Sequence, residues 1–109
     1  EIDSKTNDLL NIISPGGVCL FSRNIKSAGQ TRALLDKLRE VLPVEPFLSL
    51  DQEGGLVDRL RRVITPMPSA QVFTEKGNLE TIRKMARITG ETISILGFNM
   101  NFAPVVDVI

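Results

Sequence analysis

The stretch 48-LSLDQEGGLVDRLRR-62 closes an apolar run, Phe47 to Leu50, with Asp51, Gln52 and Glu53 and then with two glycines. The run has the length of a buried strand and is too short for a helix. Charged residues directly behind it mark the mouth of that strand. Gly54 and Gly55 require a turn, or the close approach of another group.

Reading outward, VCLF (18–21) lies between Pro15-Gly16-Gly17 and the polar Ser22-Arg23-Asn24, and is a second buried strand. Between the two strands, Ser27 to about Leu42 sets Leu34, Leu35, Leu38, Val41 and Leu42 at helical spacing. Pro43 and Pro46 stop that helix. Ahead of everything, DSKTNDLLNII (3–13) forms a helix capped by Asp3 or Ser4, with Leu9, Leu10 and Ile13 on one face. Downstream, a loop carrying Pro66 and Pro68 leads to a helix capped by Asn78. Ile82, Met85, Ala86, Ile93 and Leu96 form its inner face, Gly90 allows close packing, and Gly97 ends it. The last strand is MNFAPVVDV (100–108).

This order, α-β-α-β-loop-α-β, with continuously apolar strands, predicts a parallel sheet joined by right-handed crossovers. The strands near 17–21, 46–50 and 100–106 should lie side by side, with their carboxyl ends together. Their exits carry Arg23 and Asn24, then Asp51, Gln52 and Glu53, then Asp107. Parallel α/β folds bind ligands on that rim. Three such strands leave open edges and an uncovered face, and the chain stops directly after a strand, so it reads as a piece of something larger. A complete (β/α)8 barrel takes about 250 residues, and the 109 present are less than half of that. No composition shift marks a domain boundary within 1–109.

With 42% hydrophobic and 24% charged residues the chain is globular rather than disordered. Thirteen basic and thirteen acidic side chains cancel, without a basic stripe, so no nucleic-acid partner is expected. No apolar stretch approaches the about 18 residues of a membrane span. The lone Cys19 excludes an intrachain disulfide and reads as a small buried thiol. No signal-peptide pattern is present, but a chain that opens at Glu1 leaves room for a removed leader, so the compartment stays open, with the cytoplasm favoured over a secreted or lipid-anchored protein. There is no histidine, the commonest metal ligand and general base, and no metal or cofactor is expected.

Asp51 admits two readings. It either caps the turn, accepting hydrogen bonds from the backbone of Gly54 and Gly55, or it holds a ligand at a strand end. The pair Asp51 and Glu53 brings to mind two-carboxylate glycosidase chemistry. Side chains two apart at a strand exit can diverge, however, so the spacing assigns neither an acid nor a nucleophile. A doubly wound nucleotide binder fails on the same turn. DQEGG lacks the G-x-G-x-x-G spacing, and an acidic loop repels phosphate.

GGVCLFSRNI, LSLDQEGGLVDRL, ITPMPSA and LGFNMNFAPVVDV, in this order, resemble the N-terminal barrel of glycoside hydrolase family 3. The resemblance runs from about Gly16 to Val108 and is strongest to the bacterial β-N-acetylhexosaminidase branch, the NagZ-like enzymes. It implies the N-terminal portion of a TIM-type barrel. The implied enzyme removes terminal β-linked N-acetylglucosamine from glycoconjugates such as peptidoglycan fragments, with retention, through a covalent glycosyl–enzyme intermediate. The family's nucleophile is an Asp on a later strand, and this branch's acid/base is a His–Asp pair on a later loop. A Lys-His-rich segment and a further Arg help hold the sugar. None of these falls within 1–109, so the resemblance implies no catalytic residue here and a need for the rest of the barrel.

What the resemblance does carry over is Asp51, matching the family's sugar-binding Asp. A carboxylate accepts hydrogen bonds from adjacent pyranose hydroxyls more strongly than a neutral group does. Glu53, Gly54, Gly55 and Arg59 match positions that support the loop. Asp107 matches the Asp of the APVxDV strand, as rim scaffold rather than sugar contact, and Arg23 and Asn24 match the family's FxRN in the same sense. One departure concerns the usual DQEGGRV, which here has Leu56 for the Arg. A guanidinium with up to five donors is lost, and Arg59, Arg61 or Arg62 has to substitute, or the loop differs. Two alternatives remain: a β-glucosidase-type member, and a non-catalytic sugar-binding or assembly module.

Overall fold

The computed structural model describes residues 2–106. Three short strands are the frame: β1 (Gly17–Leu20), β2 (Phe47–Leu50) and β3 (Met100–Asn101). They lie in the order β1-β2-β3, and both pairs are parallel. Gly17 is opposite Phe47 and Leu20 opposite Leu50, while Ser49 is opposite Met100. The parallel arrangement with all carboxyl ends together, expected from the β-α-β order, is what forms.

Four helices accompany them: α1 (Ser4–Ile13), α2 (Ala28–Val41), α3 (Ala70–Lys76) and α4 (Leu79–Leu96). Each starts at a residue with a short polar side chain. Asp3, Ser27, Ser69 and Asn78 accept from the backbone N–H of Thr6, Gln30, Val72 and Thr81, satisfying donors that a helix start leaves open. At the end of α4, Gly97 takes a left-handed conformation and its N–H bonds Ser94, while Phe98 N–H bonds Ile93.

Alternation within the strands decides the core. Leu20, Leu48 and Leu50 face the helices and join Leu35 and Leu38 of α2 with Ile93 and Leu96 of α4 in one buried cluster. Arginines of α2 lock the two helices together: Arg32 donates to the Ile95 carbonyl and Arg39 to that of Gly97. Cations beside the open carbonyls of a helix end are favourable there. The Arg32 guanidinium also holds the Asp36 carboxyl below its ordinary range through their 2.8 Å contact.

Five expectations need correction. Cys19 is exposed rather than buried, because no element among the described residues covers its face of the sheet; Phe47 is 61% and Phe102 58% exposed on the same side. The face of α1 is likewise half realised, with Leu10 packed on the core and Leu9 and Ile13 exposed. Gly90 makes no close contact, since a Cβ there would meet nothing within 4 Å. The last strand is two residues long, not the run from 100 to 108, and Asp107 lies outside the described residues. Helix α3, in turn, occupies ground read as loop. Among the described residues no helix is long and apolar enough to cross a membrane.

Two asparagines flanking Met100 explain how so short a strand holds. Asn99 accepts from Leu48 N–H at 2.7 Å and donates to the Pro46 carbonyl at 3.0 Å. Asn101 accepts from Gln52 N–H at 2.9 Å, and Phe102 N–H reaches Leu50 O at 3.0 Å. Side chains thus extend the ladder at both ends of β2. Asn99→Ala should cost about 1–3 kcal/mol, since it also strands the Leu48 N–H. Urea unfolding measures this, and an unchanged midpoint would show that the clip carries no stability.

Candidate functional site

The rim begins where β2 runs out. After Leu50 the chain enters a tight turn: Val57 N–H donates to Gly54 O at 3.2 Å, and Glu53 N–H to Val57 O at 3.0 Å. Gly54 and Gly55 have φ of 89° and 59°, which L side chains rarely adopt. Space forbids a side chain as well. A Cβ on Gly54 would lie 2.2 Å from the Pro68 carbonyl oxygen, and one on Gly55 would lie 2.7 Å from Ser69 Cβ. The 66–69 segment is therefore laid directly across the glycine turn, and Gly55 N–H bonds Met67 O at 2.8 Å. Leu56, at the tip, is 98% exposed.

Asp58 holds this arrangement, and reading the sequence passed it over. Its side chain is buried, with the residue only 1% exposed. One carboxylate oxygen accepts from Gln52 Nε2 at 3.0 Å and from Leu60 N–H at 3.1 Å. The other accepts from Met67 N–H at 2.8 Å. Gln52 Oε1 takes a second bond from Leu60 N–H at 3.0 Å. The bond from Asp58 to the backbone two residues on is an Asx turn. The tendency of an Asp just past a glycine turn to form such a bond is the signal in the sequence that could have singled Asp58 out.

Asp51 does not cap the turn: Gly54 N–H bonds Val57 and Gly55 N–H bonds Met67. Its Oδ2 instead pairs with Arg59 Nη2 at 3.0 Å, the two side chains being 26% and 21% exposed. Among the described residues Asp51 Oδ1 has no hydrogen-bond partner. Arg59 also lies over the Phe21 ring, 5.0 Å from its centroid, and Arg23 lies 4.9 Å from the same centroid. Among the described residues the buried Arg59 Nε has no partner.

Of the other sequence candidates, Glu53 enters the turn through its backbone, and its side chain makes no bond among the described residues. Asn24 accepts from Phe21 N–H at 3.0 Å and shapes the β1 exit. Of the three arginines near the missing guanidinium of position 56, Arg61 donates to the carbonyls of Gly55 and Leu56 at 3.2 and 3.3 Å and to Asp58 O at 3.0 Å, whereas Arg59 is the one that meets the rim carboxylate of Asp51. No group of three His, Cys, Asp or Glu suited to a metal occurs among the described residues.

A cleft of about 640 Å3 opens between α3, α4 and the β3 exit, and Asp51 does not line it. Its walls are apolar, with Met67, Phe73, Ile82, Met85 and Phe98, and Gln52, Glu53 and Asn101 at its polar edge. Apolar walls do not suit a hydroxylated ligand.

A parallel α/β unit whose polar strand exits gather on one rim is thus the class that fold and site define. The family described as glycosyl hydrolase family 3 N-terminal domain matches residues 1–109, and the chain belongs to it. A family 3 β-N-acetylglucosaminidase from Paenibacillus sp. is similar over 95% of this chain and 20% of its own, at 32% identity and a TM-score of 0.86. A fungal multi-domain family 3 β-N-acetylglucosaminidase covers 99% of this chain and 13% of its own, at 31% identity and a TM-score of 0.88. NagZ from Neisseria gonorrhoeae shares the fold, with a TM-score of 0.79 at 24% identity over 98% of this chain and 34% of its own. The chain therefore spans a fifth or less of the first two proteins' length and about a third of NagZ.

The glycine turn can be tested directly. Gly54→Ala should lose at least about 1–3 kcal/mol from its backbone conformation alone, with the contact to Pro68 adding to that. Gly29→Ala, where a Cβ meets nothing within 4 Å, should be neutral or stabilising. Equal melting temperatures for the two variants would contradict the turn geometry.

Proposed function

We propose that this chain is the N-terminal part of a retaining glycoside hydrolase that removes terminal β-linked N-acetylglucosamine from glycoconjugates, peptidoglycan fragments among them. Asp51 is its sugar-binding contribution. The observation that carries the reading is the Asp51 carboxylate at the β2 exit, partly exposed and, among the described residues, tied by one oxygen only to Arg59. Membership of family 3 and the likeness to two β-N-acetylglucosaminidases above 30% identity support the substrate class.

A carboxylate with one oxygen anchored and the other available can accept from two neighbouring sugar hydroxyls without swinging away. Charged acceptors make such bonds shorter and stronger than amide carbonyls do. Asp51 and Glu53 are assigned no acid–nucleophile roles in this reading. A retaining mechanism needs two carboxyl groups about 5 Å apart across the scissile bond, and here Arg59 occupies one side of Asp51. The nucleophile and the acid/base belong to segments beyond the residues of this chain. Residues 1–109 supply a wall of the sugar site and the scaffold that shapes it, with Gly54, Gly55 and Arg59 supporting the loop and Asp107 serving as rim scaffold.

Hydrogen bonds to a charged group are worth about 1.5–3 kcal/mol. Asp51→Ala in the whole protein should therefore lower kcat/KM on an aryl β-N-acetylglucosaminide by at least about tenfold. Residues 1–109 alone, assayed alongside, should give no turnover. An unchanged kcat/KM in Asp51→Ala would refute the sugar-binding role. Preferential hydrolysis of an aryl β-glucoside would move the substrate class to the β-glucosidases, and turnover by residues 1–109 alone would place the catalytic groups inside this chain.

A further inference from the structure

The exits of β1 and β2 meet in a single stack of side chains. Phe21, the first residue after β1, has the Arg59 guanidinium 5.0 Å and the Arg23 guanidinium 4.9 Å from its ring centroid. Arg59 then reaches Asp51 through one bond of 3.0 Å. A guanidinium carries five donors in a rigid fork and commonly grips a carboxylate with two of them. Here it uses one, and among the described residues its buried Nε has no acceptor. One hydrogen bond fixes a distance but leaves the plane of the guanidinium free to rotate. The aromatic face supplies the missing constraint, since arginine stacks on a ring through both its charge and its flat surface.

We infer that Phe21 is a positioning residue for the Asp51 carboxylate, acting through Arg59. The ring sets the plane of the guanidinium, the guanidinium pins Oδ2, and Oδ1 is thereby aimed at the sugar hydroxyls. The chain of contacts links the β1 exit, whose sequence alone reads as the end of a buried strand, to sugar recognition at the β2 exit. Arg23, on the same ring and exposed to solvent, adds a second charge to the stack. This inference rests on the reading of Asp51 as the sugar acceptor, and it assigns no part in bond cleavage to Phe21 or Arg59.

The test uses the whole protein and an aryl β-N-acetylglucosaminide, with KM, kcat and melting temperature measured for each variant. Phe21→Leu keeps an apolar side chain and removes the ring face. It should raise KM by about threefold to fivefold, as a cation–π contact of about 0.7–1 kcal/mol implies, and change kcat less. The same substitution on an Arg59→Ala background should have no further effect on KM. Added guanidinium ion should partly restore KM in Arg59→Ala and do nothing for Asp51→Ala. Arg59→Lys, which keeps the charge but loses the plane, should resemble Arg59→Ala and serves where Phe21→Leu fails to fold.

Multiplying effects of Phe21→Leu and Arg59→Ala would overturn the inference. So would a wild-type KM in Arg59→Lys, or a lowered melting temperature in Phe21→Leu with KM unchanged. The two levels of the account separate cleanly. If Asp51→Asn raises KM while Phe21→Leu is silent, only the stack is refuted. If Asp51→Asn leaves KM unchanged, or the protein turns over no such substrate, the reading of Asp51 fails and the inference fails with it.

Discussion

A buried carboxylate is the constraint on which the rim depends. Asp58 is surrounded by protein, where an ionised group is costly unless fully hydrogen-bonded. Its donors are Gln52 Nε2, Leu60 N–H and Met67 N–H, each within 3.1 Å. They come from the end of β2, from the turn beyond the glycines and from the returning 66–69 segment. One side chain thus ties together three stretches that share no regular secondary structure. Arg61 meets only the backbone oxygen of Asp58, so the carboxylate is satisfied by neutral donors. Such bonds are stronger than those between two neutral groups, and losing the acceptor leaves several donors unpaired at once.

The two aspartates around the glycine turn divide the work. Asp58 faces inward and shapes the loop. Asp51, seven residues earlier in the chain, stays partly exposed and meets Arg59 on one side only. Had Asp51 capped the turn, its oxygens would have been committed to backbone donors and lost to a ligand. The structural task and the recognition task are kept on separate carboxylates, and the glycines allow both to sit within one short turn.

Much of the frame was legible in the sequence because it follows from apolar runs and their breakers. Phe47–Leu50, the helix after Ser27 and the helix capped by Asn78 sit where their patterns place them. What could not be read depends on partners distant in the chain. Periodicity says that Cys19 and Phe47 share a sheet face, but not that nothing among the described residues covers it. The apolar letters of MNFAPVV suggest a long strand, whereas after Asn101 the ladder continues, among the described residues, only through the Phe102 N–H to Leu50 O bond and the Asn101 side chain on Gln52 N–H. Helix α3 hides behind Pro66 and Pro68, its only strong mark being the Ser69 cap. At the site, the DQEGG block was recognisable, but which aspartate turned inward was not. Spacing fixes neither direction nor burial. The uncovered sheet face and the apolar cleft beside α4 fit a chain that spans about a third or less of the relatives it resembles.

Amide hydrogen exchange, followed residue by residue, tests the clamp most directly. If Asp58 fixes the loop, the N–H groups of Leu60 and Met67 exchange slowly in the wild type. In Asp58→Ala both become fast, while the amides of Leu48 and Leu50 in the central strand stay protected. Rapid exchange at Met67 in the wild type, or protection there that survives loss of the carboxylate, would contradict the account.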